Sequence, residues 1–275
     1  MRKKKLKFRD LSVVIVMVVV TLGLGIFLGN GLFTDAKVLQ EENQPQKVTQ
    51  SKKIVQPQKM EPKAAIPPKI DGKTVFLTFD DGPTVYLNQF IDVLKQAEVP
   101  ATFFFVGKNI NNLDQNTAKR LADKDFSLGL HSYTHNSKLL YRANNPTFIP
   151  EMKQAQQVLK TKTGITTNLI RASYGSTYLS NQQYQEVKKA GFKLLDWNID
   201  SNDWRYKNDS NGVIESVMTQ VDKKKNSNQP LVILFHERKN TLQALPTIIQ
   251  QLKAKGYTFQ PYFEKTAFQE CFKER

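Results

Sequence analysis

Hydrophobic and polar positions divide the chain into three stretches of different texture. From Leu11 to Gly29 the residues are almost all apolar, broken only by Ser12, Thr21 and glycines. A helix over these 19 residues would rise about 28 Å at about 1.5 Å per residue, close to the depth of a bilayer core. From residue 30 to 72 the chain is rich in Lys, Gln, Pro and Val and has neither a helical nor a strand period, which predicts a disordered, extended spacer. From residue 73 onward short apolar runs alternate with amphipathic stretches. The runs at 74–80, 101–107, 126–131, 168–174, 193–200, 230–236 and 257–263 predict strands, and the stretches at 86–97, 115–124, 148–162, 181–190, 212–224 and 241–255 predict helices. Strands alternating with helices predict a parallel α/β domain over 73–265, followed by a short tail over 266–275.

Charge changes the picture at the N-terminus. Residues 1–10 are strongly basic, and basic flanks stay on the cytoplasmic side of a membrane helix. The pattern predicts a single-pass signal-anchor over 11–29 with the globular part outside the cell. The minor alternative is a cleaved signal peptide and a secreted product, but that needs a shorter apolar core and an Ala-x-Ala-like site. The candidate sites ending at Gly31 or Ala36 fit poorly. The sole cysteine is Cys271, so no intramolecular disulfide forms, and no cysteine follows the apolar segment to accept a lipid. Of the formal net charge of +15, +8 lies in residues 1–70. The remaining +7 suits an acidic polymer or plain solubility. The chain carries no recognised nucleic-acid motif, and an address outside the cell argues against that class of partner. Oligomeric state is left open.

The chemistry concentrates at strand ends. Asp80 and Asp81 close the first strand in Thr-Phe-Asp-Asp-Gly-Pro. The chain has three histidines; His131 and His135 follow the third strand and His236 ends the sixth. Tyr174 and Asp200 end two others. In parallel α/β folds the site is built at the C-terminal ends of the strands, and a spread over five of them favours a barrel over an open sheet. Asp81, His131 and His135 form a two-imidazole, one-carboxylate set. Such a set holds one divalent ion, Zn2+ first and Co2+ or Fe2+ as alternatives, with positions left for water and substrate. Neighbouring strand residues face opposite ways, so Asp80 and Asp81 share a centre only if the chain turns at Gly-Pro. One of the two then ligates the ion and the other accepts a proton. His236 is a candidate acid, with Asp203 or Asp200 placed to hold its other ring nitrogen. Arg171, inside an apolar strand, needs an acidic partner, and Asp80 is the natural one.

Five motifs in order, Thr-Phe-Asp-Asp-Gly-Pro, His-Ser-x-x-His, Arg-x-x-Tyr-Gly, Asp-x-x-Asp-Trp and Leu-x-His, closely resemble the polysaccharide deacetylases. These are carbohydrate esterase family 4, or NodB-homology domains, and include peptidoglycan N-acetylglucosamine deacetylases. The resemblance implies a distorted (β/α)7 barrel and metal-dependent removal of acetyl groups from a glycan. It implies Asp80 as general base, Asp81, His131 and His135 as metal ligands, and Arg171 as the group that orients Asp80. It implies that His236, tuned by Asp203 rather than Asp200, is the general acid. The Tyr174 N–H would stabilise the oxyanion, and Trp204 and Leu234 would line the acetyl pocket. One motif departs from the family: Arg-Ala-Ser-Tyr-Gly has Ser173 where a proline is usual. Proline stiffens a loop and serine does not. The expected substrate is N-acetylhexosamine in cell-wall glycan, peptidoglycan first. The alternatives are a wall-attached polysaccharide or its linkage sugar, an O-acetyl ester, or glycan binding without hydrolysis on aromatic platforms.

Overall fold

The structure is a computed structural model that describes residues 69–274. The basic segment 1–10, the expected span 11–29 and the spacer up to residue 68 lie outside the described residues. Among the described residues no helix is long and apolar enough to cross a membrane. In chain order the first half comprises β1 (Thr74–Gly82), α1 (Leu87–Gln96), β2 (Ala101–Phe105), α2 (Gly107–Ile110), α3 (Gln115–Leu121), β3 (Phe126–Leu130), α4 (Ser137–Leu140), α5 (Phe148–Thr163) and β4 (Leu169–Ile170). Then follow α6 (Asn181–Lys189), β5 (Lys193–Leu194), β6 (Ile199–Asp200), α7 (Asp203–Tyr206), α8 (Ser210–Lys223), β7 (Leu231–His236), α9 (Lys239–Ala254) and β8 (Thr258–Phe259). Helix starts follow side-chain caps. Ser180 and Gln183 form a capping box on α6, and Asp114 and Asp209 cap α3 and α8 by accepting backbone N–H bonds.

The strands form one parallel sheet in the order β5-β4-β3-β2-β1-β7-β6, with β8 pairing the start of β1. β1 and β2 are buried on both faces, which is why they read as continuous apolar runs. The alternation of side chains sorts them into two cores. Val75, Leu77, Phe79, Phe103, Phe105, Ile233 and Phe235 face the helices, where Phe79 stacks between Phe103 and Phe235 with ring centroids 5.3 and 5.5 Å away. Phe76, Phe104, Leu169, Val232 and Tyr262 fill the inner face. The period of two that points Phe76 and Val232 inward also points Asp80 and His236 inward at the other end of their strands.

The sheet departs from a closed seven-stranded barrel. The strand expected over 193–200 splits into β5 and β6, and no ladder joins these two among the described residues. The chain end fills this seam. The Asp196 N–H donates to the Glu270 carbonyl at 2.8 Å, and the Phe272 N–H donates to the Asp196 carboxylate at 2.8 Å. Cys271 is buried beside them. The residues set apart in sequence as a tail are therefore packed into the fold. The strands expected over 168–174 and 257–263 also shorten to two residues each, because their later residues turn into side-chain-bonded loops.

Candidate active site

The Asp80–Asp81 pair is opened by a bulge. Along β1 and β2 the register runs Phe79 to Phe103 and then Gly82 to Phe105, so β1 carries one residue more than its partner. Asp81 takes a φ of +69°, and this re-aims its side chain toward the same centre as Asp80. The turn that follows is gripped by Glu237. Its Oε2 accepts the Thr84 N–H at 2.8 Å, and its N–H donates to the Asp80 carbonyl at 3.2 Å. A Cβ at Gly82 would lie 1.8 Å from Glu237 Oε1, so any side chain there would displace the carboxylate that grips the turn. Burial pushes the Glu237 carboxyl up to about 8.

The three residues expected to hold a metal come together, with one ligand atom from each lying within 4.8 Å of the others. The His131 Nδ1 is 3.0 Å from the Arg171 carbonyl, which can only accept. Nδ1 therefore carries a proton, and Nε2 faces Asp81 Oδ1 at 3.7 Å. His135 Nε2 lies 3.3 Å from the same oxygen. Asp81 Oδ1 is buried and has no hydrogen-bond partner. A buried orphan oxygen facing two imidazole nitrogens is the donor set of a divalent ion, so these residues fit one. Burial would raise the Asp81 carboxyl, but the imidazoles of His131, His236 and His135 and the Arg238 guanidinium hold it below the usual carboxylate range. Burial, with His131 beside it, pushes His135 below the ordinary imidazole value and keeps it neutral, as a ligand must be. The loop between the two histidines is shaped by Glu151 of α5, whose Oε2 accepts the Tyr133 and Thr134 N–H groups at 3.1 and 2.7 Å. Sequence reasoning missed Glu151 and Glu237, since neither lies in a motif whose spacing points to the loop it holds.

Arg171 is fully buried on the inner face. Its Nη1 donates to Asp80 Oδ1 at 2.9 Å and to Thr78 Oγ1 at 2.7 Å, and Nε and Nη2 donate to the Leu195 and Asp196 carbonyls at 2.9 Å each. The expected Arg171–Asp80 pairing is thus present, with every nitrogen of the guanidinium used.

Across the pocket Asp203, not Asp200, meets His236. Asp203 Oδ1 is 2.7 Å from His236 Nδ1, and its Oδ2 accepts the His236 N–H at 2.7 Å and the Thr241 hydroxyl at 2.6 Å. Burial alone would lower the His236 imidazole; the bond and charge of Asp203, with Asp81 and Asp80 behind, hold it up at about 9. Burial would likewise raise Asp203, and the bond to His236 keeps it below the usual range. Asp200 instead accepts the Asn202 N–H at 2.8 Å and is raised by burial.

Tyr174 has a φ of +69°, a conformation that costs a side-chain-bearing residue about 1–2 kcal/mol and holds here because the turn is bonded on both sides. Its N–H makes no hydrogen bond among the described residues, and its hydroxyl donates to the His135 carbonyl at 3.1 Å. Ser173, in place of proline, ties this turn to the histidine loop. Its hydroxyl lies 3.2 Å from the His131 carbonyl and 3.3 Å from Ser132 Oγ, which accepts the His135 N–H at 2.9 Å. Asp80, Asp81, His131, His135, Tyr174 and His236 line one cavity of about 480 Å³, with Leu234 buried in its wall and Trp204 half exposed at its side. Tyr178, Trp197, Asp200 and Arg238 complete the lining.

Comparison with known proteins agrees with this geometry. The profile of the family "Polysaccharide deacetylase" matches residues 68–195. A peptidoglycan-N-acetylglucosamine deacetylase of Bacillus cereus is 31% identical over 97% of this chain and 96% of its own length. The protein YheN of Bacillus subtilis is 42% identical over 68% of this chain and 66% of its own. The crystal structure of the polysaccharide deacetylase Bc1974 from Bacillus cereus superposes with a TM-score of 0.65 at 35% identity, covering 73% of this chain and 97% of that one. The parallel-sheet half-barrel, the order of its motifs and these relatives make this chain a member of the polysaccharide deacetylase family, hydrolases that remove acetyl groups from glycans.

Proposed function

We propose that the chain removes N-acetyl groups from N-acetylhexosamine residues of cell-wall glycan, peptidoglycan first, with one divalent ion held by Asp81, His131 and His135. The observation that carries this reading is the buried, partnerless Asp81 Oδ1 facing two imidazole nitrogens, with Asp80 and His236 on the same cavity. The peptidoglycan substrate is supported by the Bacillus cereus relative, which is named for that activity and aligns along nearly its whole length. The donor set suits Zn2+, and Co2+ or Fe2+ also fit. When bound, the ion supplies Lewis acidity and lowers the pKa of water.

The chain's own groups do the rest. Asp80, fixed by Arg171, accepts the proton of the water that attacks the acetyl carbonyl. The Tyr174 N–H donates to the oxygen that gains charge. His236, charged because Asp203 holds it, gives a proton to the departing nitrogen as the C–N bond breaks, leaving acetate and a free amine. Leu234 and Trp204 shape the wall that receives the methyl group. The apolar run 11–29 behind a basic segment supports a single-pass anchor that presents the domain to the wall.

Acetate release from purified wall sacculi by the full chain, supplied with Zn2+, tests this. Release is expected from the parent, and Asp80→Asn is expected to lower it by about 10²–10⁴-fold, the worth of a general base. Equal release by both proteins would remove Asp80 from the role. No release from the parent would sink the wall-glycan reading. The same chain is expected in carbonate-washed membranes, and its recovery in the wash would refute the anchor.

A further inference from the structure

Outside the motifs, one buried carboxylate joins three parts of the molecule. Asp196 is fully buried at the seam between β5 and β6. Its Oδ1 accepts the Ser176 N–H at 2.9 Å, and its Oδ2 accepts both the Ser176 hydroxyl and the Phe272 N–H. Three donors converge on two oxygens, so the carboxylate serves wholly as an acceptor, although burial pushes it above the ordinary carboxylate value. Its main chain is equally engaged. The N–H donates to the Glu270 carbonyl, and the carbonyl accepts Arg171 Nη2 at 2.9 Å, the same guanidinium that holds Asp80.

Ser176 lies two residues past Tyr174, just beyond the turn closed by the Gly175 N–H on the Ala172 carbonyl at 2.8 Å. Gly175 has a φ of +97°, and a Cβ there would sit 3.2 Å from the Trp197 ring and 3.3 Å from the Phe272 ring. Trp197 and Phe272 meet edge to face at 5.0 Å. The chain end therefore backs the turn twice, once through Asp196 and once through Phe272 against Gly175.

From this we infer that Asp196 and the C-terminal residues Glu270–Phe272 form a buttress that positions the Tyr174 N–H for the developing oxyanion, so that Asp196 is a positioning residue of the reaction. The inference rests on the oxyanion role of Tyr174 proposed above. A turn that holds a side-chain-bearing residue at positive φ relaxes unless its flanks are fixed. One flank is fixed by Ser173 on the histidine loop and the other by Asp196. Asparagine at 196 keeps the volume but replaces one acceptor oxygen with a donor, so at least one of the three donors loses its partner.

The test compares the full-length, zinc-loaded parent with Asp196→Asn, and with Ser176→Ala as the milder change if the first fails to fold. Acetate release gives kcat and KM, zinc titration gives metal affinity, and amide exchange is followed in peptides covering 172–178. The expected result for Asp196→Asn is a kcat lower by about tenfold to hundredfold, the cost of a misplaced oxyanion donor, with KM and zinc affinity unchanged and faster exchange in 172–178. Ser176→Ala is expected to show the same pattern more weakly. A lower melting temperature with unchanged kcat and unchanged exchange in that turn would make Asp196 merely structural and overturn the inference. If the parent releases no acetate, the function proposed above fails, and the exchange result alone decides whether the buttress exists.

Discussion

The two walls of the pocket are finished to different degrees. On the His236 wall both Asp203 oxygens are filled, by His236 twice and by Thr241, and the Asn240 side chain donates to the Asp203 carbonyl at 2.8 Å. On the other wall Asp81 Oδ1 is buried with no partner, and the imidazole nitrogens nearest to it stand 3.3 and 3.7 Å away. A carboxylate closed by the chain's own donors does its work unaided, by holding a charge on His236. A carboxylate left open toward two imidazole nitrogens has the donor set for the cation proposed above. The contrast separates what the fold supplies from what the proposed ion would supply.

The largest effect is expected from breaking the open wall. Asp81→Ala should abolish stoichiometric zinc binding and lower acetate release by about 10³-fold or more, since Lewis-acid stabilisation is worth several kcal/mol. Metal content and acetate release measured on the same sample check this. Retained zinc with normal turnover would dissolve the distinction between the walls.

The closed wall is sharpened by Asp203→Asn. His236 is raised from the ordinary 6.5 to about 9, so its contribution to folding is fully present below the unfolded value and is lost as pH rises through about 9. Asp203 is lowered, so its contribution is present above the ordinary carboxylate value and is lost as pH falls through its folded one. The pair therefore supports the fold across neutral pH, and breaking it should cost about 3–5 kcal/mol by denaturant titration at pH 7. The alkaline fall in kcat, expected above the ordinary imidazole range in the parent, should move toward that range. Turnover above neutrality should drop by about 10²-fold. An unmoved alkaline limb would mean that His236 is not the acid.

The smallest effect is expected between the walls, at Ser173. Ser173→Ala removes one buried hydroxyl that links the Tyr174 turn to the His131 and His135 loop. The cost should be about 1 kcal/mol of stability and a few-fold in kcat, because the turn keeps its other supports. Those include the Tyr141 hydroxyl, which donates to the Ser173 carbonyl at 2.6 Å. A hundredfold loss in kcat would show instead that Ser173 is the main support of the turn.

By itself the sequence determined the elements and the chemistry at their ends. Apolar runs marked β1, β2, β3 and β7, because strands buried on both faces are built mostly of apolar residues. The i, i+4 histidines beside one strand end, with Asp80 and Asp81 at another, marked a ligand set. The residues alone left Asp203 and Asp200 open and the family resemblance pointed to Asp203; the tertiary structure joins Asp203 to His236, because α7 packs against β7 and α9. It also decided the bulge that turns Asp81 inward, the split of 193–200 into two strands, and the docking of the chain end on Asp196. Each joins residues far apart in the chain, where backbone and side-chain hydrogen bonds that local periodicity does not encode choose the partner. Local pattern reports which face a residue occupies, and long-range bonding reports what it meets there.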